Sequence, residues 1–248
     1  MAIQEVPEAP LRSSAARFAA LLAPIAVAAL AFAAFAPALH AGFVSYDDVD
    51  LFVHNPAFRG LDPRRLAWMF TTTLMGHYAP LTWLSHAIEF SASGLDPAAF
   101  HRTNLLLHAA NAALFCTLAG RILSLARPEV SAAHPVALRI ATLCAALAFA
   151  IHPLRAETVA WVTERRGLLG TFFLLLALLA YLRACPPGKA SIASRGAYLA
   201  SILFLVLSLL SKGLGMTFVA VVVVLDVYPL RRLPGRVRQW GRGGARAV

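Results

Sequence analysis

Six long stretches of this sequence carry almost no charged residues, and they constrain the fold more than any other feature. An α-helix needs roughly 17 to 25 apolar residues to cross a hydrocarbon core about 30 Å thick. The six stretches approach or reach that length, and their only charged members, Arg139 and Asp226, lie near an end. They are Phe18–Pro37, Thr103–Gly120, Val136–Ile151, Gly167–Leu182, Gly196–Ser211 and Gly213–Leu230. The pattern predicts an all-α polytopic membrane protein with about six transmembrane helices.

The composition agrees with a membrane protein. The chain of 248 residues is 59% hydrophobic and 14% charged, which is not the composition of an ordinary soluble domain. Its net charge of +10 would suit a nucleic-acid partner, but six of the 22 basic residues fall in the last 18 positions. Most of the others flank the apolar stretches, where transmembrane helices commonly carry basic residues. We expect membrane lipids as partners and no nucleic acid.

The basic residues also predict the topology. With the N-terminus in the cytoplasm, the inner segments carry 14 of the 22 basic residues and the outer segments carry eight, in agreement with the positive-inside rule. This divides the chain into a cytoplasmic N-terminus (1–17), a transmembrane module (18–230) with a long first outer loop (40–101), and a basic cytoplasmic tail (231–248). A cleaved signal peptide is an alternative for the first stretch, because Ala36-Pro37-Ala38 resembles a cleavage site.

The first outer loop is too long for a simple connector and is expected to have structure of its own. Apolar residues recur at helical spacing in Pro63–Leu74 and in Leu81–Phe90. This spacing predicts two short helices lying along the membrane surface.

Three aspartates open that loop, in the segment FVSYDDVDLFVHNP (43–56). Adjacent carboxylates can supply a general base, with one acid tuned by the other, so Asp47 and Asp48 are the candidate catalytic residues. Aspartate is equally common at caps and turns, and this structural interpretation stays open.

Asp48-Val-Asp50 matches the weak DxD pattern for metal binding. No metal ligand set is predicted, although a divalent cation held by these acids and the outer histidines is an alternative.

Polar residues also mark the second apolar stretch. Asn104, His108 and Asn111 are spaced at i, i+4 and i+7, which puts them on one helical face. Such a face can line a polar cavity. Hydrogen bonding between helices needs the same residue types and is the alternative.

Two further segments supply candidate anion-binding residues. HPLRAETVAWVTERRG (152–167) is predicted to form a surface helix, and the guanidinium groups of Arg165 and Arg166 suit a phosphate. His152 and Glu157 belong to the same segment and are further candidate substrate contacts. A connector with local ion pairs is the alternative. Lys212 lies in a Ser-Lys-Gly-Leu-Gly turn, where it either anchors a helix end or approaches an anion.

Five segments in order carry a resemblance to a known family. They resemble the transmembrane part of bacterial membrane proteins with tetratricopeptide repeats, which are similar to the eukaryotic transmembrane O-mannosyltransferases of the C-type glycosyltransferase superfamily. The segments are YDD (46–48) with Asn55-Pro56, YAPLTWLSH (78–86), GLDPAAFHRTNLLLHAANA (94–112), HPLRAETVAWVTERRGLLGTFFLLLALLAY (152–181), and LSLLSKG (207–213) followed by LDVYPL (225–230).

The resemblance implies a multi-pass enzyme of a bacterial inner membrane that uses a lipid-linked sugar donor. Asp47 would remove the proton of the acceptor hydroxyl, with Asp48 its neighbour in the motif. Arg165, Arg166 and Lys212 would contact the phosphate of a polyprenyl-phosphate sugar, and a protein or glycan would be the acceptor. No cofactor is implied with certainty.

The chain departs from the family pattern at three positions and in length. Gly167 stands where an acid usually follows the basic pair, Gly213 where proline follows the lysine, and Ala79 where many relatives have arginine. Further spans and 34-residue repeats are not seen in these 248 residues, so we expect the N-terminal half of such a module. A non-catalytic scaffold of the same fold and a transporter subunit are the alternative functions.

Overall fold

In the computed structural model, which describes residues 14–189 and 191–233, the chain forms ten α-helices. The described residues contain no β-strand. The helices are α1 (Ser14–Phe35), α2 (Pro63–Thr71), α3 (Pro80–Ser93), α4 (Pro97–Ala126), α5 (Pro128–Ala133), α6 (Pro135–Ala150), α7 (Arg155–Ala160), α8 (Arg165–Ala184), α9 (Arg195–Ser211) and α10 (Thr217–Val227). The predicted all-α membrane fold is confirmed.

Proline and aspartate fix where many of these helices begin. Helices α2 to α6 each start on a proline, whose fixed φ suits a first helical position and whose missing N–H costs nothing there. Asp62 and Asp96 cap α2 and α4 by accepting backbone N–H groups of the first turn. Asp62 and Asp96 therefore serve local folding.

The predicted transmembrane stretches all coincide with helices, but they differ in length. Within the described residues, three segments are long and apolar enough to cross a membrane, namely Leu22–His40, Pro97–Ala126 and Val162–Ala184. The other three are shorter apolar helices, Pro135–Ala150, Arg195–Ser211 and Gly213–Val227. The last stretch begins with a 3-10 turn at Gly213–Met216 and stops before Pro229, so its α-helix is shorter than the sequence suggested.

Helices α8 and α9 form a closely packed antiparallel pair. Ser208 donates its hydroxyl hydrogen to the carbonyl oxygen of Gly170, and Ser201 does the same to Ala177, both at 2.8 Å. A Cβ atom at Gly170 would lie 3.3 Å from Cβ of Lys212. Small residues and serine hydroxyls are what let membrane helices approach closely, and here they bring the end of α9 against the start of α8.

Segment 40–101, which the sequence predicts to be the first outer loop, has a hydrophobic core of its own. Buried side chains from the turn at Val49–Val53, from α2 and α3, and from the start of α4 pack together. Arg59 donates to the carbonyl oxygens of Phe52 and Val53, at 3.0 and 2.5 Å, and so closes the turn. The two short helices predicted within this segment are present as α2 and α3. The loop is therefore a folded unit that can hold a site in a fixed position.

Candidate functional site

Four segments that are distant in sequence meet at one end of the helix bundle, which we call the cavity end. They are the turn with Asp47 and Asp48, the start of α3, the 3-10 turn Val162–Glu164 before α8, and the end of α9. Thr82 in α3 donates to the carbonyl oxygen of Ser211 at 3.1 Å. Five of the sequence-predicted site residues lie on or next to these segments: Asp47, Asp48, Arg165, Arg166 and Lys212.

Asp48 joins the outer loop to the start of α8. It is fully buried and accepts hydrogen bonds from the backbone N–H and the hydroxyl of Thr163, at 3.0 and 2.6 Å. Its second oxygen accepts from the N–H of Val44 at 3.0 Å. A carboxylate whose oxygens are engaged in this way cannot readily take a substrate proton. Its role is to fix the turn that carries Asp47.

Asp47 has the opposite environment. It is half-buried and accepts no hydrogen bond from the described residues. Its side chain lines a cavity of about 120 Å³, here called the acid cavity, together with Trp83, His86, Thr163 and Arg166. The remaining walls are largely apolar, from Leu51, Phe52, Leu74 and Met75. Asp47 is therefore the member of the acid pair that a bound molecule can reach.

Asp50 is separate from both. It is exposed, with 71% of its side chain accessible, and lies 3.3 Å from His54 in a pair on the surface. It does not line the acid cavity. Within residues 14–189 and 191–233, no three histidine, cysteine or acidic side chains lie close enough to hold a metal ion.

A second cavity of about 340 Å³, the lysine cavity, adjoins the acid cavity. It is lined by Lys212, Gly213, Leu209, Ser211 and Tyr78, among others. His77, Ala79 and Arg166 line both cavities. Arg166 therefore stands at the junction between the carboxylate of Asp47 and the ammonium group of Lys212.

Glu164 holds the two cations in place. One of its oxygens lies 3.1 Å from the guanidinium of Arg166, and the other accepts a hydrogen bond from Lys212 Nζ at 2.9 Å. A Cβ atom at Gly167 would lie 2.8 Å from Glu164 Oε2. Glycine at this position therefore leaves the room that the Glu164–Lys212 pair occupies. The three side chains carry a net charge of one positive unit next to the cavities.

The pKa of His77 is lowered by its burial and by this positive charge. Burial, and then the charges of Arg166 and Lys212, lower its pKa below the ordinary value of 6.5. The imidazole is therefore neutral at pH 7, and protonating it would add a like charge beside the two cations.

Arg165 points into the protein, unlike its neighbour Arg166. It is fully buried, and its guanidinium lies 2.5 Å from Glu89. It also donates to the side-chain oxygen of Asn104 and to the carbonyl oxygen of Phe100, both at 2.8 Å. Because these groups occupy the guanidinium, Arg165 ties α8 to α3 and α4 and does not reach either cavity.

The polar side chains of α4 form hydrogen bonds to neighbouring segments. Asn104, His108 and Asn111 are buried and donate to the backbone carbonyl oxygens of Trp161, Ala150 and Leu168, at 3.1, 2.8 and 2.9 Å. None of the three lines either cavity. Their environment agrees with the interhelical alternative.

His152 and Glu157 are exposed and line neither cavity. His152 accepts the backbone N–H of Leu154 at 3.2 Å, which caps the turn before α7. The surface helix predicted for 152–167 is a short helix, α7, followed by the turn Val162–Glu164.

Thr163 and Glu164 were not among the candidates from the sequence, and His77 and His86 were considered only among the outer histidines of the alternative cation site. Glu164 is followed by Arg165 and Arg166, which suggested an ordinary local ion pair. The partners of Asp48 and Lys212 lie 115 and 48 residues away. No local pattern in the sequence signals such contacts.

The chain is similar to several named transferases. It is 34% identical over 170 residues to the human protein O-mannosyl-transferase TMTC2, covering 66% of this chain. It is 30% identical over 220 residues to human TMTC4, covering 83% of this chain, and 29% identical over 199 residues to human TMTC3, covering 77%. The chain is O-mannosyltransferase-like in sequence. This relationship supports a membrane glycosyltransferase.

These relatives are much longer proteins. The chain spans 19%, 29% and 20% of the length of TMTC2, TMTC4 and TMTC3. No protein-family model matches the chain, and no solved structure matches it significantly.

Proposed function

We propose that this chain supplies the catalytic site of a membrane glycosyltransferase that moves a sugar, in one step, from a polyprenyl-phosphate carrier to a hydroxyl of a protein or glycan. The observation that carries the proposal is the acid cavity, where the unengaged carboxylate of Asp47 and the guanidinium of Arg166 line one space. The named O-mannosyl-transferases similar to this chain support the same reaction class.

Asp47 is the general base of the proposed reaction. As the acceptor oxygen attacks the anomeric carbon, its proton passes to the Asp47 carboxylate. The bond between the anomeric carbon and the phosphate oxygen breaks, and its electron pair stays on that oxygen. Polyprenyl phosphate is a stable anion, so the leaving group needs no general acid. Attack from the face opposite the phosphate inverts the anomeric centre.

Arg166 and Lys212 stabilise the charge that develops on the leaving phosphate. The bound donor is a phosphodiester with one negative charge, and a second charge grows as the bond breaks. The net positive charge of Glu164, Arg166 and Lys212 interacts more strongly with the phosphate in the transition state, which is gaining its second negative charge, than with the singly charged phosphate of the bound donor. This difference lowers the barrier. The lysine cavity, next to the end of α9, is the proposed position of the phosphate.

Asp48 and Arg165 are positioning residues in this proposal. Asp48 fixes the turn of Asp47 to Thr163. Arg165 fixes the start of α8, and with it the backbone that carries Arg166. Neither touches the reacting atoms.

The site lies at the outer face of a bacterial inner membrane if the N-terminus is cytoplasmic. Labelling of single cysteines with an impermeant thiol reagent in intact cells tests this orientation, in a background without Cys116, Cys144 and Cys185. Asp50→Cys at the cavity end should be labelled, and Lys189→Cys at the opposite end should not. Both positions are exposed, so the reverse result would overturn the topology.

The reaction is tested with Asp47→Asn in the full-length protein, using membranes and a polyprenyl-phosphate mannose donor. Loss of the general base should reduce transfer by about a hundredfold to ten-thousandfold. The matched control is Asp50→Asn, which changes the same group three residues away on the surface. Equal transfer by Asp47→Asn and the wild type would contradict the proposal and favour a non-catalytic scaffold.

A further inference from the structure

His86 in α3 is a buried side chain that the proposed reaction does not use. It is 2% exposed and lines the acid cavity together with Asp47. Neither ring nitrogen makes a hydrogen bond within the described residues, and because Nδ1 is completely buried, Nε2 is the nitrogen that a molecule in the cavity can contact. Buried polar groups in native proteins are nearly always hydrogen-bonded, and an exception next to a cavity points to a ligand.

The other neighbours of His86 are aromatic. The ring of Phe100 stacks on it at 5.6 Å and 18°, and the ring centroid of Phe52 lies 4.6 Å away. Trp83 and Phe58 follow at 6.1 and 6.4 Å. None of these rings offers the imidazole a conventional hydrogen-bond acceptor. The protein thus holds the imidazole rigidly and satisfies neither nitrogen.

The imidazole is neutral under ordinary conditions. Burial, followed by the nearby charge of Arg165, lowers the pKa of His86 well below the usual range. One ring nitrogen is then a donor and the other an acceptor. Nε2 is a donor or an acceptor according to the tautomer. A hydroxyl can partner either form, whereas an anion can partner only the donor.

The acid cavity is also small, and its walls suit a sugar ring. Its volume of about 120 Å³ is below the ~300–1,000 Å³ of pockets for drug-sized ligands, so it suits one small group of the donor and not the whole molecule. The walls of Leu51, Phe52 and Trp83 offer apolar surface to the C–H face of a sugar. The cations that a phosphate needs are Arg166, at the cavity junction, and Lys212, in the lysine cavity.

We infer that the acid cavity is the subsite for the transferred hexose and that His86 hydrogen-bonds one hydroxyl of that sugar, so that His86 determines which sugar is accepted. This inference rests on the proposed function. It adds the position of the sugar ring, with the anomeric carbon toward Asp47 and Arg166 and the far hydroxyls toward α3.

The test compares donors in the full-length protein. Polyprenyl-phosphate mannose and a set of analogues, each lacking one ring hydroxyl, are transferred by the wild type and by His86→Phe. In the wild type, one analogue should lose about tenfold to a hundredfold in kcat/KM, because it leaves the imidazole unsatisfied. In His86→Phe, mannose should fall to the rate of that analogue, and the discrimination should disappear.

The ratio between two donors does not depend on how much of a variant folds, so the test survives partial misfolding. His54→Phe is the matched control, since His54 is an exposed histidine outside the cavities, and its donor ratios should equal those of the wild type. Wild-type ratios in His86→Phe would overturn the inference. If Asp47→Asn abolishes transfer in the same assay, the proposed function survives that result. Normal transfer by Asp47→Asn would overturn both.

Discussion

The two ends of the helix bundle each contain a cluster of acidic and basic side chains, but only one cluster is open. At the end opposite the cavities, the hydroxyl of Tyr181 lies 2.9 Å from both oxygens of Asp226, and Arg232 lies 3.1 Å from that hydroxyl and 3.6 Å from Asp226. Arg232 also donates to the carbonyl oxygen of Lys189. This group, here called the closing cluster, satisfies its own charges.

The cavity end combines similar residue types differently. Glu164 joins two cations and leaves one positive charge in excess, and Asp47 keeps a carboxylate without a hydrogen bond in the described chain. Two cavities adjoin these groups, whereas the closing cluster lines neither. Acids and arginines alone therefore do not identify a functional site. Polar groups without a hydrogen-bond partner, lying beside a cavity, are the better indication.

The largest expected effect concerns the scaffold of the cavity end. Arg165→Met removes one partner of a buried ion pair and leaves Glu89 without compensation for its charge. The free energy of unfolding should fall by about 3–5 kcal/mol, which thermal unfolding in detergent measures. Arg64→Met, at an exposed position of α2, is the control and should stay within about 0.5 kcal/mol of the wild type. Equal stabilities would show that Arg165 is not part of the scaffold.

A smaller effect is expected when the cation pair is released. Glu164→Gln keeps the shape of the side chain and removes its charge, so Arg166 and Lys212 lose their fixed positions. We expect kcat to fall about tenfold because misplaced cations stabilise the transition state less, while KM for the donor does not rise, because the positive charge increases. Measuring kcat and KM separately checks this. A rise in KM at unchanged kcat would mean that Glu164 contacts the donor directly.

The smallest effect is a dependence of stability on pH. Burial lowers the pKa values of His77 and His86 in the folded protein, so the unfolded chain binds more protons below its ordinary histidine pKa of 6.5. Stability is therefore fully present above that pH and is lost as the pH falls below it. The loss between pH 7 and pH 5 should be smaller in His86→Phe than in the wild type. Parallel curves for the two proteins would indicate that His86 is protonated in the folded state.

The sequence was sufficient for the helices and for part of the site. Long uncharged stretches and the helical spacing of apolar residues are local signals, and they predicted α4, α8 and the two shorter helices α2 and α3. Lys212 and Arg166 were recognised as cations near one end of the bundle. These inferences needed only hydropathy, periodicity and topology.

The sequence could not predict that neighbouring residues of the same type have different roles. Asp47 differs from Asp48, and Arg165 from Arg166, only in which way the backbone turns each side chain. That direction depends on contacts with Thr163, Glu89 and other distant residues. His86 became a candidate only when the aromatic rings of three separate segments were seen around it.

The most direct test of the contrast between the two ends is a paired measurement on Asp47→Asn and Asp226→Asn. Transfer from polyprenyl-phosphate mannose, per amount of folded protein, and the unfolding temperature are measured for both variants of the full-length protein. We predict that Asp47→Asn loses transfer and keeps the wild-type unfolding temperature, whereas Asp226→Asn lowers the unfolding temperature and keeps the specific activity. Retained activity in Asp47→Asn, or loss of specific activity without loss of stability in Asp226→Asn, would contradict the account.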